Sequence, residues 1–369
     1  MVITKTIIFG AFGIAFFIAL ITTPLAIKVA PKIGAMDVPK DGRRMHNSAM
    51  PRFGGLAIYL GTSIAILALL WGNSKIHTVL LGGTLMYILG VIDDLKNLPA
   101  KVKFLWQLAV AVIMYSMGLK IEFIHNYAGD GNLHFGTILC FVITVLWIVG
   151  ITNTINLVDG LDGLAAGVVA IASLSIAYVA YIHGDKYGFL IICAAMMAIA
   201  GSALGFLPYN FYPAKIFMGD GGALFLGFMI AVLSVVGPLK RSTMIAVVIP
   251  VIVLGIPIFD TLFAIIRRAL NGQPIMAADK GHLHHQLMAS GFGQIRAVLM
   301  LYGISAIMGM AAVLTSRELY KDSIVLVCIA VIYLYVFLTD PNRRIKTLRA
   351  VNVEQDEKNK EGEENKGLD

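Results

Sequence analysis

The stretch Asn156-Leu-Val-Asp-Gly-Leu-Asp-Gly-Leu-Ala-Ala-Gly167 sets Asp159 and Asp162 three positions apart between two long apolar runs. If a helix begins at Gly163, Asp162 falls at its N-terminal end. Both carboxylates can then face one site beside the positive end of the helix dipole, a place for cations, amines or hydroxyls. The alternative is a polar loop in which one aspartate caps the helix and Gly160 and Gly163 turn the chain.

The composition indicates a polytopic membrane protein and excludes an ordinary soluble enzyme. Of 369 residues, 58% are hydrophobic and 14% are charged, and apolar runs of this length must be helices in a bilayer. Cys140, Cys193 and Cys328 lie inside these runs, which predicts small buried hydrophobes and neither disulfides nor a cysteine metal site. The net charge of +7 bears on orientation and on anionic lipid or substrate, and no nucleic-acid motif accompanies it.

Hydropathy predicts an all-α fold with about eleven transmembrane helices. The candidate spans are 5–29, 54–72, 78–92, 104–119, 137–152, 163–183, 188–207, 221–237, 244–264, 295–314 and 324–338. We expect one transmembrane domain over residues 1–338 and a charged, disordered tail over 339–369. Alternating apolar and polar residues predict a small external β-hairpin near 120–136.

The loops between these spans fall into two alternating sets. One set comprises 30–53, 93–103, 153–162, 208–220, 265–294 and the tail, and it holds most of the Lys and Arg residues. The positive-inside rule makes this set cytoplasmic, with the N-terminus outside and the C-terminus in the cytoplasm. The unusual polar clusters all lie in this set, so the sequence predicts a site on the cytoplasmic face of a cell membrane.

Every acidic residue on that face before the tail is an aspartate. They are Asp37, Asp41, Asp93, Asp94, Asp159, Asp162, Asp220 and Asp279. Short carboxylates suit tight oxygen coordination of Mg²⁺, or of Mn²⁺. The pair Asp93-Asp94 could share a metal or supply a base, and a solvated acidic loop is the alternative.

Three further features point to phosphate. The glycines after Asp220 would let a ligand approach backbone N–H groups at a helix start, although the aspartate could simply cap that helix. Lys101 and Lys103 could hold phosphate or anchor a helix at the headgroups. His282-Leu-His284-His285, beside Arg267-Arg268, suits anion binding or proton transfer, and zinc or a plain loop remain open.

Asp260 lies within an apolar run. An acid there is a candidate functional residue, and a hydrogen bond to a neighbouring helix is the alternative. No G-x-x-x-x-G-K-[ST] loop is present, which excludes a P-loop ATPase. Carboxylates, basic residues and glycines on one face of an apolar protein instead favour phosphoryl chemistry on a lipid. A secondary transporter is the alternative from another class, but it would place polar groups at mid-membrane in repeated halves.

The ordered motifs resemble those of the polyprenyl-phosphate N-acetylhexosamine-1-phosphate transferases, which include phospho-MurNAc-pentapeptide translocase. The resemblance spans about Asp37 to His285. It is carried by the Pro51-Arg-Phe-Gly-Gly55 stretch, Asp93-Asp94, the Asn156 stretch, Phe217-Met-Gly-Asp and the histidines. The first loop, with His46 and Pro51-Arg52, is more similar to the branch that uses UDP-N-acetylglucosamine.

The resemblance implies that UDP-N-acetylhexosamine and undecaprenyl phosphate react with Mg²⁺ to give a lipid-diphosphate sugar and UMP. It implies metal binding by Asp220 with Asp94, and catalytic roles for Asp93, Asp94, Asp159, Asp162, His282, His284 and His285. It implies substrate binding by Arg43, Arg44, His46, Lys103, Asn156, Asn210, Phe217, Arg267 and Arg268, with Asn210 and Phe217 flanking the uracil. A homodimer, transfer of UDP-MurNAc-pentapeptide or UDP-N-acetylgalactosamine, and a two-step route through an aspartate stay open.

Overall fold

The computed structural model describes residues 3–38, 49–121, 123–125, 132–184, 189–235, 248–272, 283–289 and 292–339. Its long helices are α1 (Lys5–Ile33), α2 (Gly55–Leu70), α3 (Ser74–Lys96), α4 (Ala100–Ser116), α5 (Thr137–Val158), α6 (Leu164–His183), α7 (Phe189–Asn210), α8 (Gly219–Val235), α10 (Gly255–Leu270), α12 (Gln294–Ser316) and α13 (Tyr320–Thr339). Two short helices, α9 (Ile249–Val253) and α11 (Leu283–Ala289), flank α10. The strands are β1 (Met36–Asp37), β2 (Met50–Pro51), β3 (Phe123–His125) and β4 (Asn132–His134).

Seven helices in these ranges are long and apolar enough to cross a bilayer, namely α1, α3, α5, α6, α7, α12 and α13. Helices α2 and α8 are equally apolar but shorter. The expectation of a polytopic α-helical membrane protein is therefore confirmed. The number of about eleven spans, the orientation and the domain limits stay predictions, and the tail beyond 339 lies outside the described residues.

Helix α8 is the centre of the bundle. Its side chains from Ala223 to Ser234 are all buried, and it contacts α3, α5 and α2. Helix α7 lies directly against the backbone of α1, because a Cβ at Gly201 or Gly205 would come within 2.3 Å of a carbonyl oxygen of α1. The contacts of α8 with α3, α5 and α2 place its first turn, with Asp220, among the ends of these helices.

Several helices continue beyond the spans that hydropathy predicts. Helix α3 runs to Lys96 and α5 to Val158, so Asp93, Asp94 and Asn156 lie in last helical turns and not in loops. Hydropathy detects only the apolar part of a helix, whereas backbone hydrogen bonding continues through its polar end.

The predicted span 244–264 is not one continuous helix. From residue 248 onward the structure has α9, then a break at Leu254, then α10. Pro257 has no N–H with which to bond the Val253 carbonyl, and Gly255 is a weak helix former, so the helix is interrupted here. Helix α10 is amphipathic, with Phe259, Phe263 and Leu270 exposed.

The outermost helix corrects one expectation about the cysteines. Cys140 and Cys193 are buried, but Cys328 is exposed. Cys328 lies on α13. Of the 18 residues Tyr320–Phe337 in this helix, only 11% are buried inside the protein. In a membrane an apolar face needs no protein cover, because lipid is as apolar as a protein core.

Strands β3 and β4 pair antiparallel, with Ile124 opposite Leu133. They lie in the segment where alternation predicts a hairpin. The side of the membrane on which they lie stays a prediction.

Candidate active site

One end of the bundle collects the ends of six helices. The C-terminal turns of α3, α5 and α7 meet the first turns of α4, α6 and α8 there, and the loop before α2 covers them. Aspartates from three separate sequence motifs thereby reach one place.

The loop before α2 is held against the start of α8 by backbone hydrogen bonds. Phe217 N–H donates to the Pro51 carbonyl at 2.8 Å, and Gly54 N–H donates to the Phe217 carbonyl at 3.0 Å. A Cβ at Gly54 would lie 2.4 Å from the Phe206 ring, and one at Gly55 would lie 2.3 Å from the Gly222 nitrogen. The Gly-Gly pair is therefore needed for this approach, and the approach positions Arg52.

Arg52 bridges two aspartates that are far apart in sequence. Its Nε lies 2.9 Å from Asp94 Oδ1, and its Nη2 lies 2.8 Å from Asp220 Oδ1. Sequence reasoning placed Arg52 in a motif but gave it no role. Its charge offsets the repulsion between two carboxylates that are mostly withdrawn from solvent.

Lys103 makes the second bridge. Its Nζ lies 2.7 Å from Asp93 Oδ2 and 3.0 Å from Asp220 Oδ2. The other Asp93 oxygen accepts the Leu98 N–H at 2.7 Å. Lys103 thus faces carboxylates and not lipid headgroups, whereas Lys101 is exposed.

Asp94 occupies the N-terminus of α8. Its Oδ1 accepts the Asp220 N–H at 2.9 Å and its Oδ2 accepts the Gly221 N–H at 3.0 Å. A Cβ at Gly219 would lie 2.5 Å from Asp94 Oδ2, and one at Gly90 would lie 2.4 Å from the Asp220 backbone. The helix N-terminus that we expected to meet phosphate is therefore capped by a side chain of α3, and Asp220 itself does not cap α8.

The turn at Asp159 to Gly163 lies beside this cluster. Asp159 follows the end of α5 and is half-buried. Burial raises the pKa of Asp159 to about 7; the negative charges of Asp220 and Asp94 contribute to the rise, and Arg52 opposes it. In this setting a proton or a cation is favoured on Asp159 near neutral pH.

Asp162 does not cap α6, which corrects the capping alternative. The N-cap of α6 is Gly163, with φ +79°, and it makes no side-chain cap. Asp162 Oδ2 instead accepts the Ala214 N–H at 3.0 Å and ties the turn to the 211–217 loop.

The backbone of Gly163 is held from both sides by residues of other helices. Its N–H donates to Asn210 Oδ1 at 3.1 Å, and its carbonyl accepts the Tyr302 hydroxyl at 2.6 Å. Asn210 Nδ2 donates to the Ile216 carbonyl at 3.0 Å, so both ends of this buried amide are engaged. The Tyr302 ring packs directly against Gly167. A Cβ at position 167 would lie 2.0 Å from Cζ of Tyr302, so only glycine fits there.

The sequence did not indicate roles for Tyr302 and Gly167, or for the half-buried Asn153, which donates to Oε1 of the buried Gln107. No local pattern marks Tyr302, because it lies 139 positions from its partner. Asn153 could have been found as a polar residue within an apolar run, one turn before Asn156.

The remaining predicted residues lie around or outside this cluster. Asn156 is half-buried in the last turn of α5, and Phe217 is half-buried where its backbone pairs with Pro51. Arg267 and Arg268 lie in the last turn of α10, and Arg268 is buried. Arg43, Arg44, His46 and His282 fall outside the described residues, as do Asp41 and Asp279.

His284 and His285 lie on α11, although their side chains are not among the parts that the structure describes. Asp260 Oδ1 accepts the Leu283 N–H at 2.9 Å, at the start of α11. Asp260 is thus hydrogen-bonded to a neighbouring helix, the alternative that its position in an apolar run left open.

Asp94 and Asp220 suit a hard divalent cation. Across the described residues no group of three His, Cys, Asp or Glu side chains is arranged around a metal position. Mg²⁺ commonly takes one or two protein carboxylates and completes its octahedron with phosphate oxygens and water. This oxygen-only pair of donors is typical of Mg²⁺ or Mn²⁺ sites.

An apolar groove of about 490 Å³ lies along α10. Its lining comprises Ile256, Phe259, Phe263, Ile266, Leu270 and Leu334, with Asp260 and Arg267 as its charged residues. A smaller cavity shares Ile256 and Asp260 with the groove and reaches Val158, one residue before Asp159. The two cavities therefore lie next to each other, and the smaller one is lined by the residue that precedes Asp159.

Comparison with known proteins agrees with this geometry. Residues 76–238 match the family described as glycosyl transferase family 4. The chain is 44% identical over 327 residues to a probable undecaprenyl-phosphate N-acetylglucosaminyl 1-phosphate transferase of Bacillus subtilis, covering 88% of this chain and 90% of that protein. The chain belongs to glycosyl transferase family 4.

Two further relatives are less similar to this chain and differ in the sugar or the lipid that their names give. A decaprenyl-phosphate N-acetylglucosaminephosphotransferase of Mycolicibacterium smegmatis is 34% identical over 74% of this chain and 73% of its own length. A phospho-N-acetylmuramoyl-pentapeptide-transferase of Geobacillus thermodenitrificans is 30% identical over 84% of this chain and 98% of its own. The resemblance read from the five motifs is confirmed, and the matched family region contains Asp93, Asp94, Asp159, Asp162 and Asp220.

Proposed function

We propose that this protein transfers N-acetylglucosamine-1-phosphate from UDP-N-acetylglucosamine to undecaprenyl phosphate. The products are undecaprenyl-diphosphate-N-acetylglucosamine and UMP, and the reaction is the first membrane step of a cell-envelope polysaccharide such as teichoic acid or lipopolysaccharide. The observation that carries the proposal is the cluster of Asp93, Asp94 and Asp220 with Arg52 and Lys103 at one end of an apolar bundle. The printed activity of the relative that is 44% identical supports the same choice of sugar and lipid.

The reaction depends more on electrostatic stabilisation of the phosphate oxygens than on covalent catalysis. An oxygen of the lipid phosphate attacks the β-phosphorus of the nucleotide sugar, the bond to the bridging oxygen breaks, and UMP leaves. One phosphoanhydride replaces another, so the reaction is reversible. Negative charge on the attacking and leaving oxygens has to be offset by positive groups, and Arg52 and Lys103 are the basic residues of the cluster that could do so.

Mg²⁺ fits as the resident cofactor, with Mn²⁺ as a substitute. Asp220 would hold it with Asp94, and when bound it supplies Lewis-acid stabilisation of phosphate oxygens. Asp93 is paired with Lys103, and Asp159, whose raised pKa favours a proton near neutral pH, is suited to exchange a proton with substrate.

The groove along α10 is the proposed path of the polyprenyl chain. Its lining is mostly apolar, with Asp260 and Arg267 as its charged residues, and the smaller cavity that shares Ile256 and Asp260 with it is lined by Val158. The lipid phosphate would then arrive beside Asp159 while the tail stays in hydrocarbon. We place the whole site on the cytoplasmic face of the cell membrane, where the basic loops predict it.

The test is UMP release by purified protein in detergent, with Mg²⁺, undecaprenyl phosphate and UDP-N-acetylglucosamine, each omitted in turn. We expect release only when all three are present, and its loss in Asp220→Asn. Release with UDP-MurNAc-pentapeptide or UDP-N-acetylgalactosamine in place of this sugar would keep the chemistry and change the substrate. If folded protein releases no UMP with any of the UDP-sugars, the proposed enzyme activity is refuted and a transporter is favoured.

A further inference from the structure

Both carboxylate oxygens of Asp220 are engaged by basic side chains. Oδ1 accepts from Arg52 Nη2 at 2.8 Å, and Oδ2 accepts from Lys103 Nζ at 3.0 Å. Asp94 is similarly occupied, because its oxygens accept two backbone N–H groups and Oδ1 also meets Arg52 Nε. A divalent cation that takes Asp220 as a ligand therefore competes with these two basic groups for the same carboxylate.

The two basic groups are not equally suited to leave. Lys103 has a compact ammonium that Asp93 holds at 2.7 Å, and Lys103 itself is fixed in the first turn of α4. Arg52 lies in a loop and uses different nitrogens for its two partners, Nε for Asp94 and Nη2 for Asp220. The Nη2 contact can therefore break while the Nε contact persists.

A guanidinium whose Nη2 has left Asp220 can bind a phosphate group instead. Its planar edge presents two parallel N–H groups, which match phosphate oxygens, whereas an ammonium is a point charge. Arg52 is 27% exposed at the side chain, so its outer edge is accessible from the site.

We propose that Arg52 is an exchange residue: it neutralises Asp220 until a divalent cation takes that carboxylate, and it then binds a phosphate group of the substrate. The phosphate is that of the polyprenyl lipid or the diphosphate of the nucleotide sugar. The inference rests on the proposed function for the identity of these phosphates. The competition between Arg52 and the cation does not depend on turnover.

The experiment measures Mn²⁺ binding to the full chain in detergent by electron paramagnetic resonance, after removal of metals with EDTA. Arg52→Gln removes a competing positive charge, so we expect Mn²⁺ to bind about tenfold more tightly. The same variant should bind UMP or undecaprenyl phosphate about tenfold more weakly when Mn²⁺ is saturating. Separate titrations with the two ligands tell which phosphate Arg52 meets.

A residue with a merely structural role would not produce this pair of opposite changes, since a disordered site loses affinity for metal and phosphate together. Arg52→Lys keeps one positive charge but cannot span both aspartates, so its Mn²⁺ affinity should fall between those of wild type and Arg52→Gln. Lys101→Gln makes the same charge change at an exposed position in the first turn of α4 and should leave Mn²⁺ binding within about twofold of wild type.

Unchanged or weaker Mn²⁺ binding in both Arg52 variants would overturn the proposal. So would tighter binding in Lys103→Gln alone, which would make Lys103 the group that the cation displaces. Failure of wild type to release UMP with every UDP-sugar would instead refute the proposed function, and it would leave the Mn²⁺ competition measurable.

Discussion

The hydroxyl of Tyr302 on α12 donates a 2.6 Å hydrogen bond to the carbonyl of Gly163, at the end of the turn that carries Asp159 and Asp162. The ring of Tyr302 is seated against Gly167, one turn into α6. A helix with no predicted role thus fixes the position of two candidate catalytic carboxylates. Catalysis is sensitive to displacements of about 1 Å, so this contact has a measurable consequence.

Tyr302→Phe removes only the hydroxyl. We expect kcat for UMP release to fall about tenfold with little change in KM for either substrate, because the turn is freed while the binding surfaces remain. Gly167→Ala should have a larger effect, since its Cβ would meet the ring at 2.0 Å. Gly150→Ala, with nothing within 4 Å of its Cβ, is the matched control and should stay active. A fully active Tyr302→Phe enzyme would show that the turn is held without this bond.

Asn210 joins the same turn to the 211–217 loop with both ends of its amide. Asn210→Ala leaves the Gly163 N–H and the Ile216 carbonyl buried without partners, and we expect destabilisation of about 1–3 kcal/mol for each unsatisfied group. Thermal unfolding in detergent measures this. An unchanged melting temperature, with a raised KM for UDP-N-acetylglucosamine, would instead favour the expected contact of Asn210 with uracil.

The raised pKa of Asp159 makes stability depend on pH. The group has an ordinary pKa of 3.8 and one of about 7 in the folded protein, so the folded state binds its proton more tightly than the unfolded state. The contribution of Asp159 to stability therefore falls as pH rises from about 4 to about 7 and is constant above that.

Asp159→Asn carries no such charge. With metals removed, we expect the melting temperature of the variant minus that of wild type to be larger at pH 8 than at pH 5. Added Mg²⁺ should reduce this increase. Asp322→Asn, in the first turn of α13, controls for the loss of one negative charge. A difference between Asp159→Asn and wild type that is the same at both pH values would contradict the raised pKa.

Asp260 holds the first turn of α11, on which His284 and His285 lie. Asp260→Ala frees the Leu283 N–H, and loss of such a cap costs about 1 kcal/mol. We expect faster amide exchange across α11 and lower activity, whereas Asp260→Asn keeps an acceptor oxygen and should retain most of both. Equal exchange in the two variants would show that the cap does not order α11.

Residue types and motif order were enough to predict an all-α membrane protein, a carboxylate site at one end, and the family. The reason is physical: apolar runs must be helical in lipid, and aspartates at helix ends are visible without a structure. The ends themselves were misplaced, because Asp93, Asp94 and Asn156 continue helices that hydropathy ends earlier.

The partners of these residues could not be predicted. Arg52 meets Asp220 across 168 positions and Lys103 meets it across 117, and no local periodicity encodes such a pairing. Asp162 and Asp220 each looked like a helix cap, yet Asp162 binds the Ala214 N–H and α8 is capped by Asp94. Only packing decides which aspartate caps which helix.

The separation between Arg52 and Asp220 also bears on biosynthesis. Chains are made from the N-terminus, at about 5–20 residues per second. Asp93 and Asp94 therefore reach the membrane edge well before Asp220 and α8 are translated, whereas Arg52 and Lys103 already flank them. The two basic residues that later share Asp220 are thus matched in number by the first two carboxylates, and Asp220 is the last charged member of the cluster to be synthesised.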